Sequence, residues 1–133
     1  MLNGPFPPWP SYTPEEADAV QRVLLSNKVN YWTGDECRAF EREFAAFAST
    51  GYAVALANGT VALDMALRAL GVGAGDDVVV TSRTFLASAS AIANVGARPV
   101  FADVNRDSQN ITAETVAAAL TPATKAVVCV HLA

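Results

Sequence analysis

From Tyr52 onward, apolar runs of strand length alternate with stretches whose apolar residues recur at helical spacing. The pattern predicts strands over residues 53–57, 77–81, 99–104 and 126–131, and helices over 60–70, 84–95 and 113–120. Turn signals separate them: the glycine-rich stretch 71–76, Gly96-Ala97-Arg98-Pro99, and Asn105-Arg106-Asp107-Ser108. Unbroken apolar strands are the kind buried on both faces, and regular strand–helix alternation implies crossover connections. The expected class is therefore α/β, with a mostly parallel sheet and helices on both faces.

The first fifty residues carry a different pattern. Residues 1–10 are crowded with Pro5, Pro7, Pro8 and Pro10 beside Phe6 and Trp9, which predicts an extended arm. Thr13-Pro14-Glu15-Glu16 reads as a helix start: Thr13 at the cap, Pro14 in the first turn, Glu16 closing a capping box. That helix should run to about Ser26, with Ala17, Val20, Val23 and Leu24 on one face. A polar, aromatic loop follows over 27–34, and Thr33 with Glu36 offers a second capping box. Cys37, Phe40, Phe44 and Phe47 then recur at helical spacing up to Thr50-Gly51, and the phenylalanines read as core. The expected division is an N-terminal arm with two helices (1–50), preceding a sheet domain that begins at residue 51.

Composition narrows the function classes. At 52% hydrophobic and 17% charged residues, the chain is apolar for its 133 residues, as a covered parallel sheet requires. A net charge of −4 without a basic stripe argues against nucleic acid as a partner. No apolar run reaches the length of a membrane span, and the N-terminus does not read as a signal peptide, so a cytoplasmic setting is expected. Cys37 and Cys129 have no metal-type spacing and read as reduced, packed thiols. The final apolar strand meets the end of the chain with no helix after it, so the expectation is the N-terminal part of a longer protein.

In parallel sheets, ligands collect at the carboxyl ends of strands. Three stretches point there: Asn58-Gly59-Thr60, Ser82-Arg83-Thr84-Phe85, and His131. The first couples an apolar run to a helix start, where unpaired backbone N–H groups and the helix dipole favour an anion. Gly59 would allow a tight turn and close approach, and Thr60 reads as the cap with a hydroxyl to donate. Phe85 could pack in the core or stack on a flat ring. Gly71, Gly73 and Gly75 follow a helix rather than a strand, so they are no dinucleotide fingerprint. One histidine without a partnered serine and aspartate makes no catalytic triad.

Taken together, these stretches resemble the DegT/StrS-type sugar aminotransferases. Ala57–Leu63 is similar to that family's phosphate-binding turn, and Gly73–Ala91, Val95–Val104, Thr121–Leu132 and Tyr31–Gly34 with Phe40–Phe44 match it in order. The resemblance implies a fold-type I architecture, pyridoxal 5'-phosphate as cofactor, a homodimer, and transfer of an amino group from glutamate to a nucleotide-linked keto sugar. Such chemistry serves surface polysaccharide or antibiotic sugar synthesis. It places Gly59, Thr60 and Phe85 at the cofactor and Trp32, Thr33 and Gly34 near the sugar-nucleotide, and leaves His131 without a role. The family's Schiff-base lysine would lie beyond Ala133, and neither Lys28 nor Lys125 sits in its motif, so this chain alone is expected to be inactive. Ala57 stands where the family often has serine. Two alternatives stay open: a sister dehydratase of the same fold, and a non-catalytic remnant that folds with another chain.

Overall fold

A computed structural model describes residues 9–131; the proposed arm falls mostly outside that range. The chain divides into two compact units, 1–55 and 56–133.

The first unit holds two helices, α1 (Pro14–Leu25) and α2 (Glu36–Phe47). The start of α1 follows the sequence: Glu16 N donates to Thr13 Oγ1 at 3.3 Å, and Thr13 N donates to Glu16 Oε2 at 2.7 Å. The second capping box does not form. Asn30 Oδ1 accepts from Trp32 N, Thr33 N and Thr33 Oγ1, all within about 3 Å, so a local turn captures the hydroxyl that was to cap α2. Asp35 takes the cap position with no side-chain bond, and its carboxylate faces Arg38 and Arg42 instead. Phe40, Phe44 and Phe47 are not core. They stack on one another, with centroids 5.6 and 6.2 Å apart, and all three are exposed; Ala45 alone is buried on α2. Helical spacing identifies a face and leaves open what covers it.

The second unit comprises α3 (Gly59–Ala69), β1 (Asp77–Thr81), α4 (Ala87–Asn94), β2 (Arg98–Ala102), α5 (Ala113–Ala119) and β3 (Thr124–Val128). The sheet is fully parallel in the order β2-β1-β3, with Val79 opposite Val100 on one side and Val127 on the other. All five residues of the central strand are buried. Alternation sends Val78 and Val80 into a cluster with Leu67 of α3 and with Ala91 and Ile92 of α4, while Val79 is buried on the opposite face. α5 packs on β2.

Four predicted elements change. Residues 53–57 are not a strand, because no strand among the described residues lies beside them to accept their hydrogen bonds. The outer strands are shorter than their apolar runs: β2 pairs with the five residues of β1 and β3 with Asp77–Val80, so β2 stops at Ala102 and β3 at Val128. The helix expected from Thr84 begins at Ala87, leaving Ser82–Leu86 as a loop. Cys37 and Cys129 are exposed rather than packed, one in the first turn of α2 and the other just past the edge strand β3. No helix among the described residues is long and apolar enough to cross a membrane.

The amino end of the sheet is fastened by charge. Arg98 Nε and Nη2 donate to the two oxygens of the buried Asp77 carboxylate at 2.8 and 2.6 Å, and the Thr121 hydroxyl also donates to it. The Arg98 and Thr121 hydrogen bonds hold the Asp77 pKa down at about 2. Beside it, Asp76 accepts from Gly73 N at 2.9 Å and from Lys125 Nζ at 3.2 Å, and the backbone bond chiefly lowers its pKa.

Candidate functional site

The direction of α3 and α4 decides where the candidate residues of the second unit meet. The two helices pack side by side. Asn94 Nδ2, at the last residue of α4, donates to Asp64 at 3.3 Å, and Arg68 Nη2 reaches the Asn94 carbonyl at 3.4 Å. Beyond the helix ends, the chain after α3 meets the chain after α4: a Cβ on Gly96 would lie 3.6 Å from Ala74 N, and one on Gly73 would lie 3.8 Å from Val95 O. The carboxyl ends of the helices are therefore together, and so are their amino ends. Since β1 starts only three residues after Ala74, its carboxyl end points toward those amino ends. The start of α3 and the loop Ser82–Leu86 thus share the carboxyl end of the sheet, where parallel folds bind ligands.

At the start of α3 the cap is Asn58, not Thr60. Asn58 is extended, and its Oδ1 accepts from Val61 N at 3.0 Å. The side chain two residues earlier does the capping because it reaches back over the first turn, which leaves Thr60 inside the helix. Val61 N is thereby satisfied. Among the described residues, the N–H groups of Gly59 and Thr60 and the Thr60 hydroxyl have no partner. Gly59 is not required by the backbone, since its φ lies outside the left-handed region and an added Cβ would meet nothing within 4 Å. What its missing side chain leaves is open space over two outward N–H groups, the arrangement an anion needs.

Phe85 is no core residue. It is 74% exposed, in a loop held by local bonds: Arg83 N donates to Thr81 Oγ1 at 3.1 Å, Ser88 N donates to Phe85 O at 3.0 Å, and the Thr84 and Ser88 hydroxyls pair at 2.8 Å. An aromatic ring kept in water by a pinned loop is free to stack on a flat ligand. His131 is exposed three residues past β3.

In the first unit, Trp32, Thr33 and Gly34 belong to a tightly wound loop. Gly34 N donates to Asn30 O at 2.8 Å, and Arg38 Nη2 donates to Gly34 O at 2.7 Å. A Cβ on Gly34 would fall 2.3 Å from the Lys28 carbonyl, so glycine is demanded there by space. Thr33 Oγ1 is committed to Asn30. The polar groups of Thr33 and Gly34 thus hold the loop, while the Trp32 indole is 85% exposed, edge-on to Tyr31 at 5.9 Å. Two further residues shape this loop without having been singled out from sequence. Arg38 sits 5.2 Å from the Tyr31 ring centroid, and Glu41 accepts from Tyr31 Oη at 3.2 Å. They sit among ordinary helix-surface charges, and no local signal separates them from their neighbours.

Comparison with known proteins agrees with this geometry. An aminotransferase from Psychrobacter cryohalolentis superposes with a TM-score of 0.92 at 64% identity, over 96% of this chain and 32% of its own. A Streptococcus pneumoniae protein assigned as a sugar aminotransferase, in its PLP form, superposes with a TM-score of 0.80 at 35% identity, over 94% of this chain and 31% of its own. The dTDP-4-dehydro-2,3,6-trideoxy-D-glucose 4-aminotransferase of Saccharopolyspora spinosa is 46% identical over 119 residues, 88% of this chain and 30% of its own length. The chain spans about a third of the length of the relatives it matches. The model of the DegT/DnrJ/EryC1/StrS aminotransferases matches residues 10–133. With an open helix start and a solvent-facing aromatic at one end of a parallel sheet, and with nearly its whole length matched, the chain belongs to the DegT/DnrJ/EryC1/StrS aminotransferase family.

Proposed function

We propose that this chain forms the cofactor-holding amino-terminal part of a pyridoxal-phosphate-dependent aminotransferase that acts on nucleotide-linked keto sugars. The observation that carries the reading is the pair of unpartnered N–H groups at Gly59 and Thr60, at the same end of the sheet as the exposed Phe85. The donor set fits the cofactor's phosphate: two backbone N–H groups at a positive helix end and one hydroxyl suit a dianion. Phe85 offers a flat apolar surface to the pyridine ring. When bound, the cofactor supplies an electron sink for the carbon that loses its proton. The residues of this chain bind and orient, and the group that would move the proton is the lysine the family carries beyond residue 133.

On this reading Trp32 contacts the sugar-nucleotide, with Thr33 and Gly34 shaping the loop that presents it; glutamate is the donor, the enzyme is a cytoplasmic homodimer, and the chain by itself turns over no substrate. The dTDP-sugar relative supports the acceptor class. The test is a titration with pyridoxal phosphate of the chain alone and of the chain extended through the family's full length. The long form should show the visible absorption band of protein-linked cofactor and convert a dTDP-linked keto sugar with glutamate. The short form should turn over no substrate. Turnover by the short form, or neither band nor turnover by a folded long form, overturns the proposal.

A further inference from the structure

Glu41 makes two hydrogen bonds that no other residue of the first unit duplicates. Its Oε2 accepts from Tyr31 Oη at 3.2 Å, ten residues back, and its Oε1 accepts from Ala55 N at 2.8 Å, fourteen residues on. Ala55 closes the first unit, and Asn58-Gly59-Thr60 follows three residues later in the chain. Residues 53–57 belong to no strand, so the Glu41 carboxylate supplies Ala55 N–H with the partner that a sheet would otherwise give. The other end of the carboxylate works on the aromatic loop. Tyr31 is held through its hydroxyl by Glu41 and over its face by Arg38 at 5.2 Å, and the same Arg38 binds the Gly34 carbonyl at 2.7 Å. One turn of α2 therefore grips the residues on both sides of Trp32 and Thr33.

We propose that Glu41 is a positioning residue: its carboxylate, bridging Tyr31 Oη and Ala55 N, holds the 31–34 loop so that Trp32 is presented to the acceptor substrate in a fixed pose. The proposal rests on the reading of Trp32 as a sugar-nucleotide contact. Several features favour pre-organisation over simple stabilisation. The loop uses its polar groups internally, Gly34 leaves no room for a side chain, and its most exposed large group is the Trp32 indole. Fixing such a ring before binding removes an ordering cost that the substrate would otherwise bear. Arg38 shares its guanidinium with Asp35 at 3.5 Å, so it keeps its place through α2 when Tyr31 changes.

Two measurements test this. The chain has two tryptophans, so Trp9→Phe leaves Trp32 as sole reporter in the 133-residue chain. In that background Glu41→Ala and Tyr31→Phe should lower the fluorescence anisotropy of Trp32. Glu41→Gln, which can still accept from Ala55 N, should restore much of it. In the full-length enzyme, Glu41→Ala should raise KM for a dTDP-linked keto sugar by about tenfold, the scale of one charge-assisted hydrogen bond, with kcat and KM for the amino donor little changed. Should Glu41→Ala fail to fold, Tyr31→Phe carries both measurements, with a smaller rise in KM. Unchanged anisotropy in folded variants overturns the clamp, and so does a fall in kcat without a rise in acceptor KM. Trp32→Ala separates the two layers. If it leaves acceptor KM unchanged, the reading of the loop falls. If it raises acceptor KM while folded Glu41→Ala and Tyr31→Phe do not, the loop reading stands and the role of Glu41 falls.

Discussion

Replacing Asn58 by Asp separates the two duties of the α3 start, capping a helix and holding an anion. A carboxylate can accept from Val61 N as Asn58 Oδ1 does at 3.0 Å, and Asp caps as well as Asn. Its charge also faces the positive helix end, which adds roughly 0.3–1 kcal/mol. Thermal stability should hold or rise. Anion binding should fall. Two phosphate charges against one carboxylate charge, taken roughly 6 Å apart, repel by about 1.4 kcal/mol even at the dielectric of water, a tenfold loss of affinity, and by more where water is excluded. Asn58→Ala is the control, losing about 1 kcal/mol of stability without adding charge. The assay is a titration with pyridoxamine phosphate, which cannot condense with Lys28 or Lys125, followed through the amide signals of Gly59 and Thr60. A folded Asn58→Asp chain that binds as tightly as the parent would refute the phosphate assignment.

Three other outcomes follow from the same structure. Gly59→Ala should fold at least as well as the parent, because the added methyl meets nothing and alanine favours helix by up to about 1 kcal/mol, yet should bind pyridoxamine phosphate more weakly in the same titration. Ile92→Ala removes a fully buried side chain from the α4–sheet interface and should cost about 2–5 kcal/mol in denaturant unfolding, with the midpoint moved and the slope kept. The Asp77 pKa is lowered from 3.8 to about 2, so its contribution to stability is present above pH about 4 and is lost as pH falls toward 2. An acid titration followed by circular dichroism should show this, and Arg98→Met should move the acid transition to higher pH; an unmoved transition would mean that the Asp77–Arg98 pair contributes nothing.

Much of the secondary structure was legible in the sequence because its signals are local. The buried run Asp77–Thr81 reads as a central strand from its own residues, and the capping chemistry of Thr13 and Glu16 needs only three residues of chain. The three stretches that point to the carboxyl end of the sheet also follow from order alone, given parallel strands. What misled was every feature that depends on a competitor or a neighbour. Thr33 looked like a cap until Asn30 took its hydroxyl, Thr60 looked like a cap until Asn58 reached Val61 N first, and residues 53–57 looked like a strand with no partner beside them. Phe40, Phe44 and Phe47 kept their helical spacing and still face solvent.

The sequence by itself determined the alternation of elements, the parallel sheet they imply and the family motifs, because periodicity and turn chemistry are written residue by residue. Only the tertiary structure decided that Asn58 takes Val61 N and leaves the Gly59 and Thr60 N–H groups unpaired among the described residues, and that Phe85 faces solvent rather than the core. It also decided that Glu41 joins residues ten and fourteen positions away. Contacts of that range depend on how helices pack and chains return, and no window of local sequence contains them.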